Sequence, residues 1–188
     1  TKRFSTFLLC LGLGICINTH AQSQSFLILG DIHYDLLENH DMEWLQKKPD
    51  DLRQVTTEYT QFTKKNWPAF SKQLRNRVKT YKPEIKAILQ LGDISEGLAG
   101  SEQKAEQMAQ SVVKAVDAVA MSIPWIITKG NHDITGPGAQ EAFITYYIPM
   151  FQKQLDRTDI ASANYAHQIG ENLFVCFDPW EKKIDVLE

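Results

Sequence analysis

Cysteine is nearly missing from this chain. Of three in 188 residues, Cys10 and Cys16 fall in an apolar leader, so Cys176 alone follows it and no internal disulfide can form there. Cys176 lies in the apolar run Phe174-Val175-Cys176-Phe177, which reads as a buried structural thiol. Membrane-spanning apolar runs are lacking too, because the stretch from Phe7 to Ile17 is too short to cross a bilayer. Nor is there an excess of charge of one sign. The net charge is -3 and the pI is near 6.0, which argues against a nucleic-acid-binding surface. The basic residues Lys72, Arg75, Arg77, Lys79 and Lys82 have the spacing of a solvated helix face. Internal repeats, low-complexity tracts and linkers are absent beyond the leader.

The leader itself has the form of a secretion signal. Lys2 and Arg3 precede the apolar stretch, and Thr19-His20-Ala21 places small residues where a signal peptidase reads them. Cleavage is expected after Ala21, leaving residues 22–188 as one periplasmic or secreted domain without a membrane span. A mature chain free of disulfides is compatible with that.

With 43% hydrophobic residues the remainder can bury a core. Four short apolar runs read as strands: Phe26 to Leu29, Ile85 to Leu91, Ile123 to Thr128, and Leu173 to Phe177. Between them lie helical stripes. Leu52, Val55, Tyr59 and Phe62 point inward on one helix, and Pro68 reads as the start of another carrying Phe70, Leu74, Val78 and Tyr81. A third starts at the N-cap Ser101 and carries Ala105, Met108, Ala109, Val112, Val113, Val116, Val119 and Ala120. Phe143 to Leu155 reads as a further helix that Pro149 kinks or ends. This alternation predicts an α/β fold with parallel strands.

Three of the strands end alike. They run into Gly30-Asp31-Ile32-His33, Gly92-Asp93-Ile94-Ser95-Glu96 and Gly130-Asn131-His132-Asp133. In an open parallel sheet the ligand site lies beyond the carboxyl ends of the strands, so these loops are expected to converge. The glycine before each group is expected to let the chain bend as it leaves the strand. Carboxylate, imidazole and amide donors are what a hard or borderline divalent ion takes. Asp93, centrally placed, is suited to bridge two ions with its two oxygens, and paired ions serve in-line displacement at phosphorus.

The same three blocks resemble the first signature blocks of the calcineurin-like metallophosphoesterases, over roughly Phe26 to Phe177. The resemblance implies an αββα sandwich around two divalent ions (manganese, iron or zinc) and hydrolysis of phosphomonoesters or phosphodiesters. It implies that Asp31, His33 and Asp93 hold the first ion, with Asp93 and Asn131 reaching the second. His132 would face the scissile phosphate and protonate the leaving group, oriented by Glu96 or Asp133. Purple acid phosphatases of this superfamily carry a metal-bound tyrosine where Glu96 stands, so no such tyrosine–iron site is expected. The family's later lone histidine and Gly-His-x-His block do not occur up to Glu188, so the domain is expected to be incomplete on its C-terminal side. His40, in the polar loop Glu38-Asn39-His40-Asp41, reads as solvated, and His167 as a surface residue, so neither is expected to replace those ligands. Two other readings stay open: a largely inactive metal-binding remnant, and an exported binding module.

Overall fold

The computed structural model describes residues 23–119 and 121–181; the expected signal, residues 1–21, lies outside them. Strands β1 (Ser25–Leu29), β2 (Ile85–Gln90) and β3 (Trp125–Ile127) form one sheet in the order β1-β2-β3, with both pairings parallel. Leu29 pairs with Gln90, and Gln90 with Ile127, so the three strands finish side by side in one register row. β2 is the central strand, and its Ala87, Ile88 and Gln90 are fully buried. An apolar run without alternation is what a strand covered on both faces requires.

The crossover from β1 to β2 contains a short helix, α1 (Met42–Leu45), and a long helical rod. The rod consists of α2 (Pro49–Gln54), a π-helical turn at Val55–Tyr59, and α3 (Thr60–Thr80). Pro68, expected to open a new helix, lies inside α3. It is exposed, so the carbonyl it leaves without a helical donor is open to water. Phe62, expected inward, is 59% exposed, whereas Leu74 is buried. The basic residues of α3 point mostly to solvent, as their spacing predicts.

Helix α4 (Glu102–Val119) joins β2 to β3 and buries Ala105, Met108, Ala109, Val112, Ala115, Val116 and Val119. That stripe, at spacings of three and four, is the largest helical contribution to the core. After β3 come α5 (Ala139–Ala142), a second π-helical turn at Phe143–Tyr147, and α6 (Ile148–Leu155). Pro149 thus sits in the first turn of α6, where its missing N–H costs little, and the wider π turn precedes it.

The chain then forms an antiparallel hairpin of β4 (Tyr165–Ile169) and β5 (Asn172–Cys176). β4 was not expected, because Tyr165-Ala-His-Gln-Ile is too polar to read as a buried strand. The hairpin packs against the parallel sheet at both sides. The Tyr165 hydroxyl accepts from the Ile127 N–H (2.9 Å) and donates to the Ile127 carbonyl (2.8 Å), satisfying the outer edge of β3. Phe174 meets Phe26 of β1 edge-on at 4.8 Å. Helices, a parallel sheet and a second stranded layer make the layered α/β fold. No helix among the described residues is long and apolar enough to cross a membrane.

Candidate active site

Because Leu29, Gln90 and Ile127 share a row, the loops after β1, β2 and β3 leave the sheet side by side. The first loop continues the pairing of its strand. His33 N–H donates to the Asp93 carbonyl (2.9 Å), and Tyr34 N–H to that of Ile94 (2.8 Å). The third loop is fastened to the second by buried carboxylate bonds. Asp133 Oδ1 accepts from both the N–H and the hydroxyl of Ser95, at 2.9 and 3.0 Å, while its Oδ2 accepts from Gly130 N–H at 2.9 Å. His132 N–H donates to Asp93 Oδ1 at 2.8 Å.

Of the three glycines expected to bend the chain, Gly92 alone has a left-handed backbone (φ 99°). The buried Gln90 amide clamps that turn, donating to the Gly92 carbonyl and accepting its N–H. Gly130 serves a different purpose. A Cβ there would collide with Asp93 Oδ1 and its backbone nitrogen, so only glycine lets the third loop approach the second. Gly30 has open space around it. Two functional candidates, His33 (φ 44°) and Asp93 (φ 50°), are among the non-glycine residues with a left-handed backbone, beside Leu98 and Asp156. Such conformations cost about 1–3 kcal/mol each and persist only where the surroundings fix them. Here the backbone bonds between the loops do so.

Side chains from two of these loops then meet. One ligand atom each of Asp31, His33 and Asp93 lies within 4.8 Å of the others. A second group, reaching the third loop, joins His33, Glu96 and His132 under the same limit. Asn131 stands exposed at the head of the 3-10 turn His132–Ile134. Glu96 is fully buried and serves both histidines. Its Oε2 lies 2.8 Å from His33 Nδ1, and its main-chain carbonyl accepts from His132 Nδ1 at 2.8 Å. Glu96 Oε1 is 3.5 Å from that same nitrogen and has no hydrogen-bond partner of its own. The side-chain carboxylate of Glu96 pushes the pKa of His132 up to about 9, against the opposing effect of burial. Burial pushes Asp133 up to about 6.

Asp133, expected as an alternative to Glu96 in orienting His132, does not do so. Its oxygens are spent on Ser95 and Gly130, and it is the fastener between loops. His40 also differs from expectation. It is 3% exposed, with Nε2 2.8 Å from Asp35 Oδ1 and Nδ1 3.1 Å from the Leu98 carbonyl. A neighbouring carboxylate five residues away was the available signal; that the loop folds inward was not in the sequence. His167 lies on β4 and lines a cavity of about 480 Å³ with Trp125, Lys153 and Asp117. Trp125 begins β3, so this cavity is at the end of the strand opposite the loops. Tyr59, expected as core, stacks on the His33 ring at 4.7 Å.

The donors present fit a divalent ion. Asp31 and Asp93 offer carboxylate oxygen, and His33, with Nδ1 engaged by Glu96, has Nε2 left to coordinate. No curated protein matches this sequence. The same loops lie within residues 25–183, which match the sequence model of the calcineurin-like phosphoesterases, and with most of the chain inside that match the protein belongs to the calcineurin-like phosphoesterase family.

Proposed function

We propose that the protein hydrolyses phosphomonoesters or phosphodiesters at the convergence of the three loops, using two divalent ions. The observation that carries this reading is the donor group Asp31, His33 and Asp93, set beside the Glu96–His132 pair that orients His33 and offers a proton. Asp31, His33 and Asp93 would hold one ion, and Asp93 with Asn131 would reach the second. When bound, such ions activate water at neutral pH and offset charge on phosphoryl oxygens.

The protein's own groups supply orientation and a proton. Glu96 Oε2 accepts from His33 Nδ1, which leaves the lone pair on Nε2 for coordination. His132 Nδ1 faces a carbonyl oxygen, which can only accept, so that nitrogen carries a proton. Nε2 of His132 is then the atom that protonates the leaving oxygen. The Glu96 carboxylate beside Nδ1 favours the doubly protonated ring from which that proton is given.

The test is turnover of an aryl phosphate and a bis-aryl phosphate with Mn²⁺, together with metal content. His132→Ala is expected to lower turnover by about 10²–10⁴-fold, the usual worth of a positioned acid, with metal content near wild type. Asp93→Asn is expected to lose metal. Full turnover in His132→Ala would remove that residue from the chemistry, and unchanged metal affinity in Asp93→Asn would overturn the ligand set.

A further inference from the structure

The helical rod between β1 and β2 is irregular at one place, and that place faces His33. At Val55–Tyr59 the helix takes a π turn, and the Thr60 N–H and hydroxyl both reach the Val55 carbonyl. A π turn fits one more residue into a helical turn and shifts every following side chain around the axis. Its five-residue period also aligns Gln54 with Tyr59, and the Gln54 amide donates to the Tyr59 hydroxyl at 2.9 Å.

The same helix face grips the first loop twice. Thr63 accepts from Asp35 N–H at 2.9 Å, and its hydroxyl reaches the His33 carbonyl at 3.4 Å. Four residues earlier on that face, Tyr59 lies over the imidazole of His33, with ring centroids 4.7 Å apart and planes 26° from parallel. The His33 ring is therefore bounded by Glu96 at Nδ1, by the His132 ring edge-on at 4.7 Å, and by Tyr59 across its face.

We infer that Tyr59 is a positioning residue whose stacked ring fixes the plane of His33, so that Nε2 is presented to a divalent ion with Asp31 and Asp93. This rests on the reading of His33 as a metal ligand. Partners that orient a ligating histidine are typically worth 10–100-fold in metal affinity. The stacked face, not the hydroxyl, does the orienting, so phenylalanine is expected to serve where an aliphatic side chain fails.

Titration calorimetry of the full chain with Co²⁺ alone, read alongside the visible ligand-field spectrum, tests this. Wild type and Tyr59→Phe are expected to bind within about threefold of each other. Tyr59→Leu is expected to bind at least about tenfold more weakly, with an altered spectrum and an unchanged melting temperature. Tyr59 is partly exposed, and Tyr59→Met repeats the comparison should the leucine variant fail to fold. Wild-type affinity in Tyr59→Leu overturns the role of Tyr59 alone. Equal weakening in Tyr59→Phe overturns the stacking argument. Absence of Co²⁺ binding by wild type overturns His33 as a ligand, and this inference with it.

Discussion

His40 and Asp35 form a buried pair close to the first loop, and their chemistry makes stability depend on pH. Burial alone would lower the pKa of His40, but the hydrogen bond and charge of Asp35 raise it above the ordinary imidazole value. A histidine whose folded pKa is raised contributes stability that is fully present below its unfolded value of about 6.5 and is lost as pH rises through the folded value. Wild type is therefore expected to lose unfolding free energy between neutral and alkaline pH relative to His40→Gln. Urea midpoints at several pH values would measure the difference. Parallel profiles for the two proteins would show that the pair does not retain its proton. The candidate ligands were legible because they follow strand ends marked by glycine. His40 was not, because its loop is polar throughout and only tertiary packing buries it. Tyr59 was legible as an inward residue, but a helical stripe cannot tell a core contact from a ring laid over a histidine.

At the level of elements, the parallel strands were readable as short unbroken apolar runs and α4 as a single, strong helical period. The bounds of β2 differ from the apolar run Ile85 to Leu91 only at its end, where Leu91 is 56% exposed. The π turns at Val55–Tyr59 and Phe143–Tyr147 are features that no hydrophobic period reveals, and Pro68 does not end the helix that contains it. β4 escaped notice because it is polar and Tyr165 is its one buried residue. Pro68 offers a direct test of the rod. It is exposed in the middle of a 21-residue helix, where it withholds a hydrogen bond from the Lys64 carbonyl and crowds it. Pro68→Ala restores the donor and is expected to stabilise the fold by up to about 3 kcal/mol. Denaturant unfolding monitored by circular dichroism would show a higher midpoint. A lower one would mean that the proline fixes a bend on which α3 packing depends.

Across the whole molecule, the site and the hairpin layer are joined by one buried ion pair. Lys129 precedes Gly130 at the start of the third loop, and Asp178 follows β5; their side chains are almost completely buried and in direct contact. Lys129 Nζ also lies 5.4 Å from the Phe143 ring centroid and 5.6 Å from that of Trp180. Asp178 is fixed in turn, donating its N–H to Asn164 Oδ1 at 2.7 Å and accepting from the Trp180 N–H at 2.9 Å. Two charges in such a place are costly to desolvate, so the pair need not add net stability, but breaking it leaves one charge buried and uncompensated. Lys129→Met alone, or Asp178→Leu alone, is expected to cost about 3–5 kcal/mol. The double variant is expected to recover most of that loss, because apolar groups of similar volume can occupy the same space without a desolvation penalty. A double-mutant cycle on unfolding free energies measures the coupling directly. Single variants within about 1 kcal/mol of wild type would mean that water or local rearrangement reaches the charges, and that the Tyr165 and Phe174 contacts hold the hairpin to the sheet without them.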